Sequence, residues 1–183
     1  MKSDYTTNLK ETEAHLRIVK NYFKRWQKTK HSIKTPEIGA AYKNYILIYA
    51  YGTIEKTFKN IIADHFCTPG MPQRCIQFGN KIRDQLPGSM AKERLNKFIK
   101  DECSKLWYDE LARRCNDTTY KCKKNKKITV DDAYIALTSL TNSRHDFAHS
   151  AKPYTGKIDN LMEYYKKSVA FLYEIDDIIN SIG

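Results

Sequence analysis

Glycine and proline are scarce in this 183-residue chain, at 7 and 5 residues, which argues against a turn-rich sheet sandwich or barrel and for helices. Long apolar runs are missing too. No stretch approaches the roughly 18 uncharged apolar residues needed to span a bilayer, and the opening MKSDYTTNLKETEA has no hydrophobic signal core, so a cytoplasmic chain with no membrane partner is expected. Cysteine is limited to Cys67, Cys75, Cys103, Cys115 and Cys122, an odd number without a CxxC pair. Neither a disulfide framework nor a zinc ribbon follows, and the thiols read as reduced packing residues with no metal or cofactor implied. Acidic residues are outnumbered, 21 against 32 basic ones, which leaves a formal charge of +11. Such a balance favours an anionic partner, RNA or DNA, without choosing between them.

What is present is helical periodicity, and the expected fold class is all-α. The length suits a single domain over residues 1–183, with a core over about 34–183 and an N-terminal helix, about 5–30, packed on it. Leu9, Leu16, Val19, Phe23 and Trp26 give that helix its apolar face. Thr35-Pro36 followed by Glu37 predicts the start of a long helix that runs to about Phe66. Its stretch YILIYAY is apolar on nearly every side, as expected of a central helix surrounded by neighbours or lying partly in a dimer interface. Gly52 in this helix is expected to admit another backbone closely. Thr68-Pro69-Gly70-Met71-Pro72 predicts a loop. A short helix with Cys75, Gly79, Ile82 and Leu86 follows, Pro87-Gly88 stops it, and Ser89 caps a helix carrying Leu95, Phe98, Ile99, Leu106 and Leu111. Thr129-Val130-Asp131-Asp132 predicts a capping box with Asp in the place of Glu, opening a helix that delivers the chain to Arg144. A last helix, about 157–181, bears the stripe Ile158, Leu161 or Met162, Tyr165, Val169, Leu172, Ile175 and Ile179.

Two segments carry chemistry. Arg144-His145-Asp146-Phe147-Ala148-His149 packs a guanidinium, two imidazoles and a carboxylate into six residues. An Arg and a His at this spacing meet the needs of metal-free phosphodiester cleavage, one holding phosphoryl oxygens and the other moving a proton near neutral pH. A cap with a salt bridge would use the same residue types. Glu55, with Ile48, Phe58 and Ile62 around its face, is expected to be partly buried and therefore paired, either with Arg144 or locally with Lys59. The second segment, NDTTYKCKKNKK, sets Lys121, Lys123, Lys124, Lys126 and Lys127 near Tyr120. It reads either as an RNA-binding loop that grips a phosphate backbone without reading sequence or as a plain solvated loop.

The context LTSLTNSRHDFAHS, with a polar residue directly after the Arg and a His five positions on, together with the apolar helix LIYAYGTIEKTF ending in Glu, resembles the HEPN superfamily and its RiboL-PSP-like branch. The resemblance covers about residues 34–183, although the middle from Cys67 to Lys127 contributes no motif. It implies an up-and-down bundle of four to six helices that forms a homodimer, with two Arg-His motifs facing one groove. It further implies a metal-independent endoribonuclease of a toxin-antitoxin, abortive-infection or other antiviral defence system, whose partners are an RNA substrate and an antitoxin or other defence-system protein. By carry-over His149 moves the proton, Arg144 holds the phosphate, His145 fills the polar position and Glu55 orients Arg144. One departure stands out: where toxins silenced by a partner nucleotidyltransferase have R-x(4)-H-x-Y, this chain has Ser150-Ala151, and the nearest tyrosine is Tyr154. The alternative is a non-catalytic helical module that binds nucleic acid or protein, with Arg144 and Glu55 as a structural ion pair.

Overall fold

The computed structural model describes residues 1–29, 35–85 and 90–182. Among these the chain is all-α, a bundle of seven α-helices and one π-helical segment, slightly more elements than the four to six expected. Helix α1 spans Ser3–Gln27, α2 Pro36–Phe66, α3 Gln73–Asp84, α4 Lys92–Lys97, α5 Lys105–Asn116, α6 Val130–Ser150 and α7 Ile158–Ile182. The short connection between α6 and α7 folds these two long helices onto one another, their pairing being the most extensive in the molecule. Helix α2 packs against both, α1 lies on α2 and α7, and α3 covers part of α2.

Helix α2 begins at the expected Pro36 with Thr35 at its cap position, and ends at Phe66 as its periodicity predicts. Ile46, Leu47, Ala50, Ile54, Phe58 and Ile62 bury one side in the core, where each fully buried large side chain contributes about 1.5–3 kcal/mol. The other side is not surrounded. Tyr45, Ile48 and Tyr49 remain 43%, 49% and 42% exposed, so of the two expectations for YILIYAY it is the uncovered face that the isolated chain displays. Gly52 admits no neighbour either, since a Cβ there would meet nothing within 4 Å. The close approach comes at Gly79 of α3, where a Cβ would lie 2.7 Å from Cys67 Sγ and 2.9 Å from the Ala63 carbonyl.

The helix expected to carry Leu95 through Leu111 is broken. After α4 the backbone widens into a π-helical segment, Phe98–Cys103, and Ser104 is extended (φ −158°, ψ 126°) before α5 begins. The break turns Leu95, Phe98 and Ile99 on one side of it, and Trp107 and Leu111 on the other, into the same core. Leu106, expected inside, is left 63% exposed, and Trp107 takes the buried position beside His65 and Phe66. The expected contribution of Leu86, the Pro87-Gly88 stop and the Ser89 cap lie outside the described residues.

The capping box of α6 forms as predicted. The Asp132 amide donates to Thr129 Oγ1 at 3.0 Å and the Thr129 amide donates to Asp132 Oδ2 at 3.2 Å, so two otherwise orphaned donors are satisfied. At its other end α6 does not stop before Arg144. It continues through the whole Arg144–His149 motif to Ser150, and the chain leaves through Ala151 with φ 50°. The two further helical turns stack His145 and His149, four residues apart, on one face, with Arg144 on the adjoining one, and all three border the same cavity.

Candidate active site

Helices α2, α4 and α6 meet over a cavity of about 270 Å3 lined by Tyr51, Glu55, Arg94, Thr141, Arg144, His145 and His149. Four of the seven are the site residues expected from the sequence. The cavity is just below the roughly 300–1,000 Å3 of a small-molecule pocket. Thr141 is buried, and its hydroxyl donates back to the Leu137 carbonyl at 2.8 Å, so it serves as wall.

Arg144 is half-buried, with its guanidinium carbon 5.3 Å from the centre of the Tyr51 ring. That placement allows a cation-π contact and restricts the side chain to one side of the pocket. Tyr51 is itself 5% exposed. Burial, with the Glu55 carboxylate next to its hydroxyl, pushes its phenol up to about 12, so it stays protonated. His145 and His149 follow on the adjoining face of α6, with ring centroids 4.3 Å apart, and both are exposed.

Of the two partners expected for Glu55, it is the local Lys59 that the structure shows, and no Glu55-Arg144 ion pair is formed. Glu55 is partly buried, as predicted, and its Oε1 sits 3.0 Å from Lys59 Nζ, one helical turn on. Geometry decides this: a lysine at i+4 on the same helix reaches the acid at little cost in order, whereas Arg144 is held on the Tyr51 ring. Tyr51 thus lies between the two, with the Glu55 carboxylate near its hydroxyl and Arg144 over its ring. Among the described residues no carboxylate pairs with Arg144.

The basic loop stands elsewhere. It precedes α6, while the Arg-His motif ends that helix, and at 1.5 Å of rise per residue the two are about 20–30 Å apart. Its members also differ from one another. Tyr120 is half-buried, with the guanidinium carbons of Arg113 and Arg114 5.6 and 5.2 Å from its ring centre, so it is already stacked. Lys123 forms an ion pair with Asp177 at 2.6 Å, and Lys124 lies 4.9 Å from the Tyr173 ring centre. Lys121, Lys126 and Lys127 are exposed, and among the described residues no ion pair engages them.

Two features escaped the sequence reading. Arg94, on α4, adds a second guanidinium to the pocket from the part of the chain in which no motif was recognised. Arg114 is 5% exposed and forms ion pairs with Glu110 (2.8 Å), Glu174 (2.9 Å) and Asp177 (2.8 Å). Glu174 is fully buried and also accepts from the Lys123 amide at 2.5 Å. A glutamate interrupting the apolar stripe of α7 was the available signal for this network. All five cysteines are free, and burial pushes Cys115 up to about 11 and Cys103 and Cys122 up to about 12, which leaves these three as inert thiols. Among the described residues no three His, Cys, Asp or Glu side chains gather as a metal-binding group, and no helix is long and apolar enough to cross a membrane.

Fold and pocket together define an all-α bundle that carries an Arg-His cluster at the end of one long helix, over a tyrosine and glutamate of another. The chain belongs to the RiboL-PSP-HEPN family, whose family model matches residues 7–181. HEPN domains are in general RNase domains, with functions of nuclease type or otherwise related to RNA, and they typically dimerise. No curated protein and no solved structure matches the chain.

Proposed function

We propose that the protein is a metal-independent endoribonuclease, acting as a homodimer in a toxin-antitoxin, abortive-infection or other antiviral defence system. The observation that carries this reading is the pocket: Arg144, His145 and His149 meet there, and no carboxylate neutralises Arg144 among the described residues. The 2'-oxygen of the ribose attacks the neighbouring phosphorus, forming the O2'-P bond as the bond to the 5'-oxygen breaks. His149 takes the 2'-hydroxyl proton, His145 gives a proton to the departing 5'-oxygen, and Arg144 offsets the charge that builds on the phosphorane oxygens. The products are a 2',3'-cyclic phosphate and a free 5'-hydroxyl. Glu55 is a positioning residue that acts on Arg144 through Tyr51. The uncovered Tyr45, Ile48 and Tyr49 face of α2 adjoins the pocket along the same helix and supports dimerisation there. Lys121, Lys126 and Lys127 supply phosphate contacts distant from the chemistry.

The alternative, a non-catalytic module whose basic surface holds nucleic acid or an acidic protein, loses its structural Arg144-Glu55 pair, since Glu55 pairs with Lys59, but keeps the basic surface. Incubation of the purified protein with tRNA, mRNA and rRNA in EDTA tests the proposal. Fragments ending in cyclic phosphate are expected from the wild type, with rates about 10²- to 10⁴-fold lower for His149→Ala. RNA that stays intact while bound to the protein would sink the nuclease reading in favour of a binding module.

A further inference from the structure

Besides Arg144 the pocket carries a second guanidinium, that of Arg94. This side chain is exposed, lines the same cavity as Arg144, and takes part in no ion pair or hydrogen bond among the described residues. Its position is nonetheless fixed. Leu95, next to it, is 1% exposed in the core, and the residues on either side of this pair are tied to α6. The Tyr134 hydroxyl lies 3.1 Å from the Lys92 carbonyl and 2.7 Å from Asn96 Oδ1, and Lys92 Nζ is 3.3 Å from Asp131. Tyr134 is itself buried and stacked on Phe171. Helix α4 is thus a clamped support that presents one cation to the pocket.

The two arginines differ in the freedom left to them. Arg144 is half-buried and restricted by the Tyr51 ring, which suits it to a fixed oxygen position in the transition state. Arg94 is exposed and has no ring or carboxylate to orient it, so it can follow a phosphate that does not change charge during the reaction. A contact of that kind is equally strong in the ground and transition states and therefore acts on KM rather than kcat. The cavity, at about 270 Å3, has room for about one sugar-phosphate unit, so the neighbouring phosphate of the same strand falls outside it, on the solvent side to which Arg94 is exposed.

We propose, building on the nuclease reading above, that Arg94 holds the phosphate next to the one that is cleaved, so that the site selects a polynucleotide over a substrate with a single phosphate. The test uses a single-stranded RNA whose cleaved linkage has been mapped, and two versions with a neutral methylphosphonate at the linkage on one side or the other. Arg94→Ala is expected to raise KM about tenfold on the fully charged RNA with kcat retained. On the version that lacks the phosphate it holds, the substitution has no further effect, and Arg94→Lys restores most of the loss. Equal loss of kcat on all three RNAs would overturn the proposal, placing Arg94 at the scissile phosphate or in the support of the fold. Should wild-type protein cut no RNA in which a linkage could be mapped, the nuclease reading fails separately and binding to a single-stranded RNA decides the role of Arg94. A slope of log K against log salt about 0.7 shallower in Arg94→Ala than in wild type upholds it, and an unchanged slope overturns it.

Discussion

Two arginines, thirty positions apart in the numbering, are treated in opposite ways by the fold. Arg114 is buried and surrounded by Glu110, Glu174 and Asp177 within 2.9 Å, with Lys123 completing the group at Asp177. Arg144 is half-buried, lies on a tyrosine ring, and opens into a cavity that it shares with two histidines and Arg94. A guanidinium whose charge is matched by carboxylates has nothing left to offer a ligand. One that no carboxylate pairs with directly, the Glu55 of its own pocket being held by Lys59, stays available for an anion. Pairing, more than residue type or burial, separates Arg114 from the arginine proposed to act on RNA.

The largest expected effect breaks the first of these two. Arg114→Leu leaves Glu174 buried without its cation and is expected to destabilise the fold by about 3–5 kcal/mol, measured by chemical denaturation. Arg144→Ala, by contrast, should change stability by less than about 1 kcal/mol while removing cleavage. Comparable destabilisation by both substitutions would erase the distinction. Acid should act on the Arg114 network as well. Hydrogen bonds from Arg113, then Arg114, hold Glu110 down at about 2, against 4.5 when unperturbed. Asp177 is also held low, since bonds from Lys123 and Arg114 outweigh the burial that opposes them. Carboxyls depressed in the folded state contribute stability that is complete above their unfolded pKa and is lost as pH falls through the folded one. The wild type should therefore lose stability between about pH 4.5 and 2, and Arg114→Leu should show a flatter profile over that window.

A smaller effect concerns the two basic regions, which α6 holds apart. Lys126→Ala combined with Lys127→Ala should weaken RNA binding and lower the salt slope by about 1.4, two single-strand contacts, while kcat on a saturating short RNA stays unchanged. A fall in kcat would mean that the loop reaches the chemistry despite the length of the helix.

Much of this arrangement was legible in the chain. The limits of α2, the capping box at Thr129 and the stripe of α7 all follow from local rules: a proline-led start, a reciprocal side-chain cap and a 3.6-residue period. The grouping of Arg144, His145 and His149 was equally local, lying within two helical turns. Glu55 was harder to read, because its burial followed from its apolar neighbours but its partner depended on where Arg144 would rest, and the Tyr51 ring takes that side chain. Arg94 and the Arg114-Glu174 pair arise from contacts between elements distant in sequence, which no periodicity encodes. The break at Ser104 was hidden for a related reason: Leu95 to Leu111 satisfies a helical pattern well enough, and only the demand that Phe98 and Trp107 both enter the core selects a π-helical turn over a straight helix.

The smallest effect sharpens the link between Glu55 and Arg144. If Glu55 held Arg144 directly, Glu55→Gln would free a charged side chain in the pocket and cost as much as losing a buried partner. Because Tyr51 lies between Glu55 and Arg144, and the Glu55 charge is met by Lys59, the substitution should lower cleavage merely two- to fivefold, roughly 0.4–1 kcal/mol. Tyr51→Phe keeps the ring under Arg144 but removes the hydroxyl that Glu55 faces, so it should give a loss of the same size. The double variant should then be no worse than either single one, because both cut the same connection. Losses that multiply would assign Glu55 a role of its own at the substrate, separate from positioning. Tyr51→Leu, which takes away the ring itself, should fall further than Tyr51→Phe, because only then does Arg144 lose the surface that orients it.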